Sequence, residues 1–341
     1  MSTAIPKAVL YYSPDSAWSS SVLLALEEKG YAEDEVDLKI VDLSKGENFS
    51  VSFLRLNPKA TVPTLVVPFR DSVADDAETR YKALTDTKAI IALLDQSRSP
   101  LSKTRTTSTA PAPTLAPATV AFSATSNALL DILHAEEVSP ETLKFINARD
   151  TASLKTLAKT ISPLLVGRQK ALAEYIADSE AGRVQASEKV KRFWQDKQSE
   201  TEALLAVLRA ADKDDAALDS AEKTKREEFF AKAKEVWQVA VKNAVVKLNK
   251  EITGPYALGD QLSVVDLSLA SWIFEVVKLA GGSAEDDGST AIGRVERYLD
   301  VALPKDFRVA DARQKDGAAV NKLAGLWDGL RSRGSWKVYK R

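Results

Sequence analysis

The 341-residue sequence contains no cysteine, one histidine and one methionine. Without cysteine there is no disulfide framework, no thiolate nucleophile, no zinc-thiolate site and no iron-sulfur cluster. The single histidine, His134, excludes a histidine-rich metal site, and a Ser-His-Asp relay would have to run through it. We therefore expect no bound metal.

The sequence also lacks an excess of either charge and any long hydrophobic run. Its 47 basic and 48 acidic residues leave a net charge of −1, which gives no electrostatic footprint for nucleic acid or anionic lipid. The longest apolar runs, such as residues 89–94, fall far short of the roughly 20 residues that span a bilayer. Residues 1–13 lack the apolar region of a signal peptide. These absences predict a soluble, cytoplasmic protein that binds no nucleic acid and has no membrane span.

Residues 8–95 read as alternating strands and helices. The segments 8–12 and 36–41 are rich in β-branched or aromatic residues, and 22–30 between them fits a helix that ends at a Gly30 cap. Next, 53–67 contains a turn, a prolyl bond and an apolar strand. The pattern is typical of an α/β domain.

The second half of this region predicts a hairpin followed by a helix. Residues 67–82 are polar and acidic, which favours an enlarged hairpin loop. Residues 83–96 read as the end of a strand that leads into a helix.

Composition changes at about residue 97. Residues 98–119 are rich in Ser, Thr, Pro and Ala and are predicted to be a linker. Beyond them the apolar spacing is helical, most clearly in 187–209 and 222–252, and the charged run 212–228 reads as a solvated connection. We predict domains at 1–97 and 120–341, separated by that linker.

Ser263 and Asp266 stand three residues apart at the start of an apolar periodic run. This spacing predicts a capping box, in which the two side chains exchange hydrogen bonds with the backbone N–H groups at a helix N-terminus. We interpret both residues as a structural cap of a buried helix and not as catalytic groups.

Four segments in this order resemble glutathione transferases. VLYYSPDSAWSSSVLLALEEKG (9–30) is similar to the first strand, active-site loop and first helix of that family, and FLRLNPKATVPTL (53–65) is similar to its F-x-x-x-N-P-x-G-x-V-P-x-L segment. LTDTKAIIALLD (84–95) resembles its acidic-Ser signature, and LGDQLSVVDLSLASW (258–272) looks like its buried-helix cap.

The resemblance implies a fold and a ligand. It predicts an α/β N-terminal thioredoxin-like domain (βαβ-ββα) that binds glutathione as co-substrate, followed by an all-α domain with long inserted helices at about 140–222. The insertion and the SAWSSSV loop also resemble ganglioside-induced differentiation-associated proteins. Those proteins carry a C-terminal hydrophobic anchor, which the ending WDGLRSRGSWKVYKR does not resemble.

The resemblance places the glutathione peptide on three segments. A cis bond at Val62-Pro63 would present the Val62 backbone to the cysteinyl part, with an ordinary trans proline as the alternative. Asp86 and Thr87, at a helix N-terminus, would hold the γ-glutamyl group, although Asp86 alone fits simple capping. Lys59 would meet the glycine carboxylate or stay solvated.

The thiol-activating residue implied by the family is Ser16, six residues before Val22. Its hydroxyl and the helix N-terminus would favour the glutathione thiolate. Two departures from the pattern, Ala17 for proline and Ser21 for a basic residue, leave open that the loop only caps the helix. Trp18 would bind glutathione and form part of the electrophile wall.

We therefore predict a glutathione transferase that conjugates the thiol to hydrophobic electrophiles, a detoxification reaction. The alternative is a non-catalytic protein of the same fold that binds ligands or docks partners. Disulfide or dehydroascorbate reduction is disfavoured because it needs a protein thiol. We interpret His134 as a core or surface histidine. A homodimer is possible, but the inserted helices are able to displace the usual two-fold interface, so the sequence leaves the oligomeric state open.

Overall fold

The computed structural model describes residues 7–68, 81–99, 106–308 and 319–340. Within them, a four-stranded mixed sheet near the N-terminus is followed by a mostly helical region with a pair of long helices. This confirms the predicted fold class, a thioredoxin-like α/β domain followed by a helical domain with a long helical insertion.

The sheet has the order β2-β1-β3-β4, and β3 runs antiparallel to both β1 and β4. Its strands are β1 (Ala8–Tyr12), β2 (Val36–Ile40), β3 (Thr64–Pro68) and β4 (Tyr81–Leu84). Pro68 pairs with Tyr81, so the predicted hairpin between residues 67 and 82 is present. The centre of its loop, residues 69–80, lies outside the described residues.

Twelve α-helices are present in the described part of the chain. They are α1 (Ala17–Glu28), α2 (Val51–Leu56), α3 (Thr87–Ser97), α4 (Val120–Leu133), α5 (Pro140–Phe145), α6 (Thr151–Glu180), α7 (Glu188–Arg209), α8 (Ser220–Glu235), α9 (Lys242–Glu251), α10 (Val264–Leu279), α11 (Gly288–Leu299) and α12 (Lys322–Arg331). No helix of this part is both long and apolar enough to cross a membrane.

Two long helices agree closely with their sequence patterns. The period of 187–209 matches α7 to within one residue, and its N-cap Ser187 accepts a hydrogen bond from the Val190 N–H. The pattern 222–252 spans α8 and α9, which are joined by a π-helical turn at Val236–Val241. A π turn inserts one residue into the helical repeat, which an apolar period alone does not reveal.

The described residues form two compact units that alternate along the chain. The first takes its residues from Met1–Ser13, Leu38–Thr85 and Phe145–Glu235. The second takes its residues from Pro14–Asp37, Asp86–Lys144 and Val236–Arg341.

In the first unit, the hairpin of α6 and α7 packs against the turn at residues 43–49. Trp194 on α7 is fully buried and donates its indole N–H to the Phe49 carbonyl at 2.8 Å. Gly167 on α6 faces the Ser44 carbonyl so closely that a Cβ there would lie 1.9 Å from the oxygen. The long helices therefore contact this turn through a site where only glycine fits.

We expect Gly167→Ala to lower the free energy of unfolding by about 1–3 kcal/mol, because the added methyl group must push the Ser44 backbone away. The matched control is Gly293→Ala on α11, where a Cβ meets nothing within 4 Å and better helix propensity stabilises by up to about 1 kcal/mol. Urea denaturation followed by circular dichroism measures both changes. A stabilised Gly167→Ala protein would show that the close contact is absent.

In the second unit, α10 is buried along most of its length and packs against α1, α4 and α11. The predicted capping box at its N-terminus is present. Asp266 accepts from the Ser263 N–H at 2.8 Å, the Ser263 hydroxyl at 2.7 Å and the Ala257 N–H at 2.7 Å. The carboxyl group therefore fixes both the helix start and the preceding loop.

Candidate active site

The predicted glutathione-binding residues divide between the two units, and each group is described within its own unit. The second unit holds Ser16, Trp18, Asp86 and Thr87, and the first holds Lys59, Val62 and Pro63.

Ser16 is the N-cap of α1. Its backbone is extended, at φ −103° and ψ 117°, and its hydroxyl oxygen accepts from the Ser19 N–H at 3.2 Å. The Ser16 carbonyl accepts from the Ser20 N–H at 3.1 Å. A serine hydroxyl that accepts through a lone pair still carries a proton to donate. Ser16 therefore combines a hydroxyl with the positive end of a helix dipole, the two features that stabilise a bound thiolate.

Asp86 and Thr87 open α3. Asp86 is its N-cap and accepts from the Ala89 N–H through Oδ1 at 2.8 Å, as the capping interpretation predicts. Thr87 is 7% exposed. Lys88, the next residue, forms an exposed ion pair with Asp131 at 3.2 Å. A carboxylate has two oxygens, so capping through Oδ1 is compatible with an ion pair between Asp86 and a ligand ammonium.

Trp18, in the first turn of α1, stacks on the His134 ring. The two ring centroids are 4.2 Å apart and the rings are inclined by 11°. His134 is the C-cap of α4, where its N–H donates to the Leu130 carbonyl at 3.0 Å. The sequence predicts only a core or surface histidine at this position, because nothing local in LLDILHAEEV indicates a partner more than a hundred residues earlier in the chain.

The His134 imidazole is neutral at physiological pH. Burial, together with the nearby Lys88 ammonium, lowers its pKa to about 4 against the opposing effects of Asp86 and Asp131. Asp86 and Lys88 lie at the start of α3 and Asp131 lies on α4, so charged side chains of both segments act on the ring stacked on Trp18. Trp18, Asp86 and His134 therefore share one region of the second unit.

The far ends of α1 and α3 are joined by a buried ion pair. Lys29, the C-cap of α1, contacts Asp95 on α3 at 2.7 Å, and the two side chains are 0% and 4% exposed. Lys29 also donates to the Pro113 carbonyl, and Asp95 accepts from the N–H groups of Leu115 at 2.9 Å and Ala116 at 3.0 Å. The two helices that carry Ser16 and Asp86 are thus tied together, and the segment that follows them is tied to both.

In the first unit, Asn57 organises the turn that precedes β3. Its buried side chain donates to the Thr61 carbonyl at 2.7 Å and the Thr64 hydroxyl at 3.0 Å, and it accepts from the Lys59 N–H at 3.0 Å. Ala60 adopts a left-handed conformation at φ 55°, at the position where the family pattern has glycine. The side chain of Lys59 is exposed.

The Val62-Pro63 peptide bond is cis, as the family resemblance predicts. Val62 is half-buried, whereas Pro63 is buried at the entry to β3. Among the described residues, no group of three or more acidic or histidine side chains is arranged to hold a metal ion.

Three solved structures with which this chain is aligned over most of its length are the following. The chain is similar to the beta-etherase of Sphingobium sp. strain SYK-6, with 18% identity, a TM-score of 0.49 and coverage of 97% of this chain and 98% of that chain. It is similar to a glutathione transferase homologue from Sulfitobacter with bound glutathione, with 15% identity, a TM-score of 0.42 and coverage of 98% and 97%. It is also similar to maleylacetoacetate isomerase from Methylobacterium extorquens AM1, with bound malonate and glutathione. The identity is 18%, the TM-score is 0.40, and the alignment covers 96% of this chain and 98% of that chain.

A family model gives the stronger result. Residues 10–102 match the model described as glutathione S-transferase, N-terminal domain. The match includes Ser16, Trp18, Lys59, Val62, Pro63, Asp86 and Thr87, that is, each residue for which a glutathione contact is predicted. The sequence match therefore shows that residues 10–102 are similar to a glutathione S-transferase N-terminal domain.

Proposed function

We propose that this protein is a glutathione transferase that joins the thiol of glutathione to hydrophobic electrophiles, with Ser16 as the residue that stabilises the thiolate. The observation that carries the proposal is the place of Ser16 at the N-cap of α1, inside the segment that matches the glutathione S-transferase N-terminal domain. Asp86 and Thr87 at the start of α3 are the groups we assign to the γ-glutamyl end.

The proposed reaction needs glutathione, an electrophile and a protein group that favours the ionised thiol of glutathione. A free thiol has a pKa of about 8.5, so at pH 7 most of it is protonated, and a hydroxyl donor with a helix N-terminus favours ionisation. With an aryl chloride as the electrophile, the thiolate sulfur forms a bond to the ring carbon, chloride leaves with the electron pair, and the thiol proton passes to solvent. We assign the cysteinyl backbone to Val62 and Pro63, the glycine carboxylate to Lys59, and contacts with glutathione and the electrophile to Trp18.

Ser16→Ala tests this assignment. We expect kcat/KM for conjugation of 1-chloro-2,4-dinitrobenzene to fall about 10²-fold, the usual effect of removing one hydrogen-bond donor from a developing or bound anion. Initial rates at 340 nm over a range of glutathione concentrations measure the change. Ser123→Ala on α4, which removes a hydroxyl that donates to the Thr119 carbonyl at 3.0 Å, is the control, and its activity should equal that of the wild type.

Because Ser16 also caps α1, a second variant separates the two roles. Aspartate is as good an N-cap as serine, but its carboxylate cannot donate to a thiolate. We expect Ser16→Asp to unfold at the same temperature as the wild type and to be at least as inactive as Ser16→Ala. If Ser16→Asp turns over like the wild type, the hydroxyl is not the activating group.

A second candidate function is a non-catalytic glutathione transferase-like protein that binds ligands or docks partners. The observation in its favour is the active-site loop, where Ala17 and Ser21 replace the proline and the basic residue of the family pattern. Isothermal titration calorimetry with glutathione at millimolar concentration, next to the activity assay, separates the two. Binding without turnover, or no binding at all, would favour this second function.

A further inference from the structure

The chain's only imidazole lies against the turn that carries Ser16. Trp18 is two residues after Ser16, and its indole is stacked on the His134 ring with 4.2 Å between centroids. The backbone N–H of His134 donates to the Leu130 carbonyl at 3.0 Å, which places the residue at the end of α4. Its imidazole covers one face of the Trp18 indole.

The stacking contact, and not a hydrogen bond, is what His134 contributes here. Its Nε2 is buried and has no hydrogen-bond partner in the described part of the chain. The titratable groups that act on the ring are Asp86 and Lys88 of α3 and Asp131 of α4. Burial and Lys88 lower the pKa of His134 to about 4, so the ring stacks on Trp18 as an uncharged aromatic throughout the pH range of a conjugation assay.

Backbone hydrogen bonds tie Ser16 to the first turn of α1. The hydroxyl and carbonyl oxygens of Ser16 accept from the Ser19 and Ser20 N–H groups, at 3.2 and 3.1 Å. These bonds join Ser16 to the same turn that carries Trp18. A shift of that turn would therefore move the hydroxyl, and a misplacement of about 1 Å can cost about 10²-fold in rate.

We propose that His134 is a positioning residue, whose ring holds Trp18 and thereby keeps the Ser16 hydroxyl directed at the glutathione sulfur. The inference rests on the proposed function, because it assigns His134 a role in that reaction. It requires the aromatic ring of His134 and neither of its nitrogens. Phenylalanine should therefore replace it, whereas a polar side chain without a ring should not.

Three full-length variants test the inference by steady-state kinetics. We expect His134→Ala and His134→Gln to lower kcat at least about tenfold and to raise KM for glutathione by a smaller factor, because the ring stacks on Trp18 and the other residues assigned to the peptide are unchanged. His134→Phe should keep kcat within about twofold of the wild type and show the same dependence of kcat on pH. If His134→Phe is as slow as His134→Ala, a nitrogen is needed and the inference is wrong. Wild-type rates in His134→Ala would also overturn it.

A second measurement does not depend on glutathione. Hydrogen exchange of the Ser19 and Ser20 amides, both bonded to Ser16, should be faster in His134→Ala and His134→Gln and unchanged in His134→Phe. If the wild type neither binds nor uses glutathione, the proposed function fails, and this exchange pattern alone decides whether His134 positions the turn. Equal exchange in all four proteins would show that it does not.

Discussion

Asp95→Ala is expected to lower the free energy of unfolding by about 3–5 kcal/mol, the usual effect of removing one partner of a buried ion pair. The Lys29 ammonium is fully buried and lies 2.7 Å from the Asp95 carboxylate. Without the carboxylate, its remaining partner is the Pro113 carbonyl, which carries no charge to balance it. Equilibrium denaturation in urea measures the loss.

Asp95 also satisfies backbone groups, which adds to the expected effect. It accepts from the N–H groups of Leu115 and Ala116, and Leu115 is 3% exposed. A buried N–H that loses its acceptor costs about 1–3 kcal/mol. We therefore expect Lys29→Met, which leaves these two bonds in place, to destabilise less than Asp95→Ala. The double variant should lose less than the sum of the two single changes, because the charge that each single variant strands is removed.

The control is an ion pair of the same length at the surface. Lys197 and Glu200 are also 2.7 Å apart, with 33% and 63% of their side chains exposed. Glu200→Ala should change the free energy of unfolding by no more than about 0.5 kcal/mol, because solvent already screens this pair. If Asp95→Ala is as mild as Glu200→Ala, the Lys29 charge must reach water, and the pair is not the tie between α1 and α3 that the structure shows.

This ion pair bears on the candidate site because of where it lies. Lys29 ends α1, whose N-cap is Ser16, and Asp95 is on α3, whose N-cap is Asp86. The two helix N-termini assigned to the glutathione thiol and γ-glutamyl group are thus parts of helices joined at their other ends. We expect the proposed glutathione site to depend on this ion pair, although the pair lies toward the opposite end of each helix from the capping residue.

Most of the fold follows from local sequence signals. The strands of the sheet, the helix 187–209 and the Ser263/Asp266 cap all have short patterns with a direct physical cause, such as apolar period or side-chain capping. The position of Ser16 at a helix start could be predicted for the same reason. These features need only residues within a few turns of one another.

The features that the sequence did not predict join distant residues. Lys29 and Asp95 are 66 residues apart, and a lysine at a helix end is normally solvated, so nothing marks this one as buried. The stack of Trp18 on His134 and the contact of Gly167 with Ser44 have the same character. In each case the partner is chosen by the packing of whole helices, and no residue type near either member indicates it.

Asp266→Ala is expected to destabilise the protein by about 2–5 kcal/mol. The fully buried carboxyl group accepts from two backbone N–H groups, those of Ala257 and Ser263, and alanine leaves both without that acceptor. Asp150, which forms a capping box at the exposed start of α6, is the matched control. Water can replace its side chain, so Asp150→Ala should cost only about 1 kcal/mol. Thermal and urea unfolding of the two variants provide the comparison.

The same carboxyl group should make stability depend on pH in a defined direction. Burial raises the pKa of Asp266 to about 6, although its hydrogen bonds from Ala257 and Ser263 act to lower it. In the unfolded chain the ordinary value is near 4. Between these values the folded protein binds more protons than the unfolded one, so stability from this group is complete below about pH 4 and is lost as pH rises through 6. Asp266→Asn cannot titrate, so the wild type should gain stability relative to Asp266→Asn as the pH falls from 7 to 4. A difference between the two proteins that is constant over that range would mean that Asp266 is ionised throughout, with the hydrogen bonds outweighing burial.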